Sequence, residues 1–369
     1  MQMENKIRFG SFEAVTFISN LICTKIFLYY TRLTVEDAAT AGWISSIVSG
    51  LAAFLMLTVL LKMYKKFDDK DILDIAEIAG GKFLKIVTGA VITFSLFVLT
   101  VVVIRKFSED MKIVSLPSSP LSYVMSFFLV GIAVACFFGL EAIVRFHAIV
   151  IPFIIAGYVF IMLGVTPQMD ITNLMPFWGT GIDDILSKGF LRSSVYCELL
   201  VLFLLPPFLG GYKKITRVGY TAFALSAISL ITSSLVYILA NPYPSGMEPF
   251  LPIYNMTRLI AFGRFFQRIE ALFVFTWAMA ALLYLTSTFY FMVYTFAKTA
   301  GLKYIRPLVL PFAVIVFSAA FIPGSLMEVI RIEKNYIVTV GWIVAFVYTG
   351  LILAAASIRK SVRKEKCSK

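Results

Sequence analysis

Two charged residues stand inside stretches that are otherwise apolar enough to cross a lipid bilayer. Lys25 lies in the span 12–30 and Glu198 in the span 190–212. An unpaired charge at mid-membrane costs ~3 kcal/mol or more, so such residues usually find a partner or a cavity and often mark a binding site. Pairing Lys25 with Glu198 would remove both penalties at once, which makes a buried ion pair the leading hypothesis.

Other interpretations of these two residues stay open. Lys25 could snorkel to the interface past the apolar residues 26–30, or pair with another residue. Glu198 could be satisfied by a neighbour within a kinked packing helix. The pair Pro206-Pro207 removes two backbone donors and predicts a broken helix. A broken membrane helix with a buried charge is typical of a transporter-type site at mid-membrane.

Hydroxyl groups interrupt two further apolar spans. Ser95 lies in the span 84–104, and Ser287 and Thr288 lie in the span 270–297. Such hydroxyls most often bond their own helix or a neighbouring one, so packing is the simpler interpretation. The functional alternative is a small-molecule site between spans one, three, six and eight, with these three side chains as its walls.

The composition indicates an integral membrane protein. Hydrophobic residues make up 60% of the 369 residues, charged residues only 15%, and the mean hydropathy is +0.89. A soluble domain is closer to half apolar and a quarter charged. Continuous apolarity without alternation predicts an all-α fold with ten membrane spans. The predicted spans are 12–30, 42–62, 84–104, 121–140, 146–165, 190–212, 216–240, 270–297, 306–323 and 336–357.

The distribution of basic residues predicts the orientation. With the N-terminus in the cytoplasm, cytoplasmic segments hold 21 Lys and Arg residues and the opposite side 11, and Lys25 within its span completes the 33. The positive-inside rule then places both termini in the cytoplasm, with 359–369 as a basic tail. The net charge of +12 is spread over loops, which suits anionic lipid better than nucleic acid.

The segment 66–83 predicts a short helix on the cytoplasmic surface, between spans two and three. Asp68 or Asp69 could cap it, apolar residues cluster on one side, and Gly80-Gly81 would end it.

The ten spans divide into two halves of five, 1–165 and 166–358, within a single membrane domain. An odd number of spans per half would invert the second half relative to the first. Span one would then match span six, which sets Cys23-Thr24-Lys25 against Tyr196-Cys197-Glu198.

Motifs of catalysis and metal binding are absent from the sequence. The four cysteines form no CxxC pair, and His147 is the single histidine, so neither a disulfide framework nor a metal cluster is indicated. The sequence also has no nucleotide-binding glycine loop, nucleophile elbow or HExxH motif. We therefore expect no enzyme activity and no cofactor.

Several motifs resemble the endospore germination permeases, the B subunits of spore germinant receptors. The most characteristic is FFQRIEALFVFTW followed by LKYIRPLVLP, within 262–311. DAATAGWIS at 37–45, FLPIYNMTRLIAFG before span eight and YCELLVLFLLPPFL in span six support it. The resemblance covers roughly residues 10–357.

This resemblance implies a member of the amino-acid/polyamine/organocation superfamily with a five-plus-five inverted repeat and broken helices 1 and 6. Such B subunits bind small nutrients, amino acids or sugars, in a receptor with A and C subunits in the spore inner membrane. Transferred by motif, the unwound segments fall at Cys23-Thr24-Lys25 and near Tyr196-Cys197-Glu198. The candidate ligand-binding residues are Cys23, Thr24, Lys25, Ser95, Tyr196, Cys197, Glu198, Ser287 and Thr288.

One departure from related permeases concerns the first unwound segment, which usually contains glycine. Here no glycine lies between Gly10 and Gly42, which leaves two alternatives: Lys25 supplies the positive charge that free backbone amides provide elsewhere, or the ligand is not an amino acid. Two functions stay open from sequence: a germinant-sensing receptor subunit and a working amino-acid transporter.

Overall fold

A computed structural model describes residues 9–260 and 270–367, and side chains as far as 361. The segment FGRFFQRI (262–269), which opens the motif at 262–311, therefore lies entirely outside the described residues. The described chain is helical throughout, without strands. Its α-helices are α1 Ser11–Lys25, α2 Thr31–Ala38, α3 Gly42–Tyr64, α4 Ile72–Val114, α5 Leu121–Phe138, α6 Leu140–Gly164, α7 Ile182–Leu191, α8 Leu199–Leu202, α9 Pro206–Leu209, α10 Tyr212–Ala240, α11 Pro252–Thr257, α12 Glu270–Ala300, α13 Arg306–Ala319, α14 Leu326–Ile332, α15 Thr339–Trp342 and α16 Thr349–Cys367.

Seven helical runs in the described chain are long and apolar enough to cross a membrane, which makes this a multi-pass membrane protein. They are Ser11–Phe67, Ile72–Val114, Leu121–Phe138, Leu140–Gln168, Tyr212–Ala240, Glu270–Ala300 and Leu326–Ser361. The apolar helix α13 is shorter. The predicted count of ten is therefore not established by helix length alone.

The first of these runs contains two predicted spans because the chain reverses within it. Ala39 has a φ of 49°, which ends the regular helix geometry, and a 3-10 turn leads into α3. Gly42 packs closely against the backbone of Thr34 in α2, since a Cβ at position 42 would stand 2.6 Å from the Thr34 carbonyl oxygen. The predicted spans 12–30 and 42–62 therefore lie on either side of this reversal.

The predicted sixth span is broken, and this explains why it is not among the long helices. After α7 come a 3-10 segment, Arg192–Tyr196, and the single turns α8 and α9. Pro206 and Pro207 begin α9, where their missing N–H groups cost no helical hydrogen bond. The predicted break is therefore present, and it begins at Arg192, well before the prolines.

The predicted surface helix is present as the first part of α4. It ends at Gly81, whose φ of 74° and ψ of −163° are open to glycine, and the membrane-crossing part of α4 follows. The cap is Asp71, which accepts hydrogen bonds from the N–H groups of Leu73 and Asp74. The prediction of Asp68 or Asp69 as the cap was wrong, because their carboxylates accept from the backbone of Gly211 and Tyr212 instead.

Both described ends of the chain lie on one side of the bundle, which we call the N-terminal face. The ring of Phe9 stacks near that of Phe208, and Lys360 Nζ donates to the carbonyl oxygen of Lys66 over 2.6 Å. The long connections cover the opposite face, where Asp170 N donates to Leu239 O over 2.9 Å. One continuous apolar core joins the helices between the two faces.

Candidate functional site

Lys25 and Glu198 form a buried ion pair inside the bundle. Lys25 Nζ contacts Glu198 Oε2 directly, and each residue is 2% exposed. Lys25 Nζ also donates to the carbonyl oxygen of Val195 over 2.6 Å and lies 3.8 Å from Cys197 Sγ. The hypothesis of a pair across spans one and six is confirmed, and snorkelling of Lys25 is excluded.

The break in span six makes this coordination possible. In a continuous α-helix the Val195 carbonyl would accept from the N–H four residues later. The 3-10 turns at this point leave the carbonyl open to Lys25. Tyr284 on α12 completes the set, because its hydroxyl donates to Glu198 Oε1 over 2.9 Å. Both carboxylate oxygens of Glu198 therefore have donors.

Span one differs from the expected unwound segment. Residues 23–25 remain α-helical, and the helix widens immediately afterwards into a π-helical turn at Ile26–Tyr30. The physical reason is the sequence itself: with no glycine or proline between Gly10 and Gly42, nothing interrupts the backbone ladder. A π turn changes the direction of side chains without freeing a set of backbone amides.

A cavity of about 700 Å³ borders residues Cys197 and Glu198 from the side. Its polar lining is supplied by Ser95 on α4 and by Cys197 and Glu198, and its apolar lining by α4 and by residues 332–345. Phe94 and Tyr336 at its rim are 66% and 65% exposed, so in a bilayer it would open sideways. The cavity thus lies between spans three, six and ten.

Three other candidate residues, Thr24, Cys23 and Tyr196, lie around the pair without lining this cavity. Thr24 Oγ1 donates to Asn20 O over 2.7 Å and lies 3.4 Å from Ala280 O. Cys23 lines a second cavity, about 870 Å³, between α1, α6 and α10. Tyr196 is fully buried beside Phe223, and its hydroxyl has no partner among the described residues.

The hydroxyls of span eight are used in helix packing. Ser287 Oγ donates to Leu283 O over 2.7 Å and lies 3.3 Å from Nε2 of the buried His147. Thr288 Oγ1 accepts from Thr100 over 3.1 Å. Of the three predicted walls, the structure brings only Ser95 to the cavity beside Glu198, where Ser95 also donates to Val91 O over 2.8 Å.

Sequence reasoning missed Tyr284 and the contribution of span ten. Tyr284 sits one turn before the hydroxyl cluster in an aromatic-rich span, so its type alone does not distinguish it from the other tyrosines. Gly341, which lines the cavity, carried a usable signal, since a Cβ there would lie 3.5 Å from Cys197 Cβ. A glycine inside a membrane span often marks close approach of another segment.

The comparisons with known proteins agree with this architecture. Residues 9–329 match the model of the spore germination protein family. YfkT, a protein of Bacillus subtilis (strain 168) that is named as a spore germination protein, is 24% identical over 268 residues, 71% of this chain and 72% of its own.

Two solved transporters share the fold. Mhp1, a nucleobase-cation-symport-1 family transporter in a closed conformation with bromovinylhydantoin bound, aligns with a TM-score of 0.65 at 12% identity, over 94% of this chain and 78% of its own. A Na⁺-coupled sialic acid symporter in a substrate-bound outward-open state aligns with a TM-score of 0.63 at 10% identity, over 96% and 89%. At these identities the likeness concerns the fold. Because the family model covers most of the chain, this permease-like membrane protein belongs to the spore germination protein family.

Proposed function

We propose that this chain is the germinant-sensing B subunit of a spore germinant receptor. It would bind a small nutrient, an amino acid or a sugar, beside the buried pair of Lys25 and Glu198. The observation that carries the proposal is that a cavity of about 700 Å³ ends on Glu198 while Glu198 is bonded to Lys25. A ligand in this cavity would lie against the residue that binds Lys25, in a part of the molecule that the bilayer would shield from bulk water.

An amino acid suits this pair because it carries both charges. Its ammonium group would compete for Glu198 and its carboxylate for Lys25, so binding would exchange the internal pair for two pairs with the ligand. A ligand shifts a conformational equilibrium only by its differential affinity for the two states. Opening the Lys25–Glu198 contact is such a difference, and it moves spans one and six relative to each other.

The ligand site that we propose combines the sequence candidates with the cavity. Ser95, Cys197 and Glu198 would contact the ligand directly, with Lys25 behind Glu198. Cys23, Thr24 and Tyr196 would support the two spans. Ser287 and Thr288, which the sequence predicted as walls of the site, would act indirectly, through α12, the helix that also carries Tyr284.

The arrangement in the membrane is part of the same proposal. Ten crossings in two inverted halves, 1–165 and 166–358, would put both termini in the cytoplasm, consistent with both described ends lying on one face. The location would be the spore inner membrane, with A and C subunits as partners. On the opposite face Trp178 is 54% and Phe250 45% exposed, and both would be available to a partner.

A secondary amino-acid transporter is the second candidate, because two solved transporters share the fold over 94% and 96% of this chain. Uptake by the lone chain in proteoliposomes, tested with labelled L-amino acids, separates the two functions. The receptor proposal expects no accumulation. Concentrative uptake would establish the transporter instead.

The test of the site replaces Ser95 by Val in the intact receptor of a spore-forming host. Filling the cavity and removing the hydroxyl should raise the nutrient concentration for half-maximal germination about tenfold, the equivalent of ~1.4 kcal/mol. The panel would be the twenty L-amino acids and simple sugars.

Ser126→Val is the matched control, since Ser126 is also a half-buried serine bonded to the carbonyl four residues earlier, but lines no part of this cavity. If both variants shift the response equally, or only lower abundance, the proposed site is wrong.

A further inference from the structure

A second charged cavity lies near the opposite face. It has a volume of about 50 Å³ and is lined by charged residues of α2, α4 and the segment 330–338. A single water needs roughly 10–15 Å³ on the same measure, so there is room for a molecule of a few heavy atoms. Two π-helical turns, Ile26–Tyr30 and Glu333–Val338, contribute to its wall, and such turns are frequent at functional sites.

One end of this cavity carries an acid with one oxygen that no described residue bonds. Asp110 is 1% exposed, and its Oδ2 has no hydrogen-bond partner among the described residues. The adjacent Lys106 is engaged elsewhere: its Nζ lies 2.7 Å from Glu333 Oε2 and 4.5 Å from the centre of the Tyr29 ring. A buried carboxylate oxygen without a donor loses the full solvation of that group, so this end of the cavity calls for a donor.

The other end has the reverse imbalance. Glu36 is shared by two bases, because Arg32 Nε lies 2.8 Å from Oε1 and Lys334 Nζ lies 2.9 Å from Oε2. Two positive groups on one carboxylate leave an excess of positive charge there. With Lys106 and Glu333 neutralising each other, the cavity is negative toward Asp110 and positive toward Arg32 and Lys334.

We infer that this cavity is a second binding site, for a small zwitterion of the α-amino acid class. The ligand ammonium would donate to Asp110 Oδ2, and the ligand carboxylate would accept from Lys334 and Arg32. Charge-assisted hydrogen bonds of this kind are the stronger class of hydrogen bond. The site is distinct from the pair at Glu198 and does not require the receptor partners.

The two sites are neighbours across Tyr29, a residue of the first π turn. The Tyr29 ring carries Lys106 on one face, and its side chain lines the outer cavity. Tyr29 follows Lys25 by four residues, so this cavity lies about one helical turn along span one from the central pair.

The test uses the full chain in lipid nanodiscs and measures glycine binding by titration calorimetry, with methylammonium and acetate as single-charge probes. Glycine should bind more tightly than either probe. Asp110→Asn should weaken glycine and methylammonium at least tenfold, and Lys334→Gln should weaken glycine and acetate but not methylammonium.

Glu109→Gln is the matched control, because Glu109 is the neighbouring acid, pairs with Arg105 and does not line the cavity. Ser126→Val, whose side chain lines neither this cavity nor the one beside Glu198, should leave glycine binding unchanged. Glycine affinity that is unaltered by Asp110→Asn overturns the site. Methylammonium binding as tight as glycine, insensitive to Lys334→Gln, reduces it to a cation site and rejects the zwitterion.

Discussion

Among the described residues are two buried lysine–glutamate pairs, and they are built differently. At Lys25–Glu198 every charged atom has a partner, from Val195 O on the lysine to Tyr284 on the glutamate. At Lys106–Glu333 the charged atoms are also in direct contact, at 2.7 Å, yet an oxygen of the adjacent Asp110 has no partner among the described residues. Each pair joins helices from distant parts of the chain, and each borders a cavity.

The difference shows two uses of a buried charge. A fully satisfied pair acts as a strong contact between spans one and six, and breaking it requires a replacement for both partners. An unbalanced cluster already has an open position, so a ligand can bind there without breaking a bond. Burial alone does not distinguish these uses; the count of donors against acceptors does.

The central pair should give the largest effect of substitution. Lys25→Met and Glu198→Gln should each destabilise the protein by ~3–5 kcal/mol, because each leaves an uncompensated buried charge. The double variant should recover most of that stability, but not the response to nutrient. Abundance and the unfolding midpoint in detergent measure the cycle.

Lys85→Met is the control for this cycle, since Lys85 pairs with a half-exposed Glu77 and such surface pairs contribute ~0–1 kcal/mol. Strictly additive single effects would show that Lys25 and Glu198 do not stabilise each other.

The outer cluster should respond asymmetrically to the same kind of substitution. Lys106→Met leaves Glu333 without its partner and removes the positive charge that lies one helical turn from Asp110. In Glu333→Gln, Lys106 can pair with Asp110 instead, because Asp110 lies one turn away on the same helix. We therefore expect Lys106→Met to lower the unfolding midpoint more, with a cost of ~1–3 kcal/mol for the Glu333 carboxylate left unpaired. Equal losses in both variants would contradict the charge imbalance.

A smaller effect should follow from loss of one hydroxyl at the central pair. Tyr284→Phe removes the donor to Glu198 Oε1 and should cost ~1.5 kcal/mol, the lower range for a hydrogen bond to a charged group. Tyr196→Phe is its control, because the Tyr196 hydroxyl is buried without a partner among the described residues and its loss should be neutral or stabilising. The two unfolding midpoints, measured side by side, decide this.

The smallest effect concerns a third pair, at the N-terminal face, where Lys298 Nζ lies 2.7 Å from Asp71 Oδ2. Burial raises the pKa of Asp71 to about 6. Because this folded-state pKa lies above the ordinary carboxyl value, the Asp71 contribution to stability is full below about pH 4 and is lost as the pH rises through 6. Asp71→Asn, which keeps a capping side chain, should remove that part of the pH dependence of the unfolding midpoint. An unchanged pH profile in Asp71→Asn would refute it.

Local sequence signals predicted elements well wherever the chain itself enforces a conformation. Gly81 ends the surface helix because only glycine tolerates its backbone angles, and the span that contains Pro206 is broken. The cap at Asp71 was missed since three nearby aspartates are equally good candidates, and only contacts with residues 211 and 212 remove two of them. Span three was predicted to end at 104, but α4 continues to Val114 and buries Lys106 and Asp110.

Composition and span patterning were sufficient to predict a helical membrane protein with two buried charges, because the cost of an unpaired charge in hydrocarbon is independent of the fold. The pairing of Lys25 with Glu198 was the leading hypothesis from sequence, beside snorkelling and other partners, and the contact between the two side chains confirms it. The geometry of the ligand cavity did not follow. Whether Ser95, Ser287 or Thr288 faces the cavity depends on how each helix is rotated against its neighbours. All three hydroxyls bond carbonyls of their own helix, so their presence in the sequence does not reveal that rotation. The same holds for Asp110, whose open position arises only where α2, α4 and the start of span ten meet.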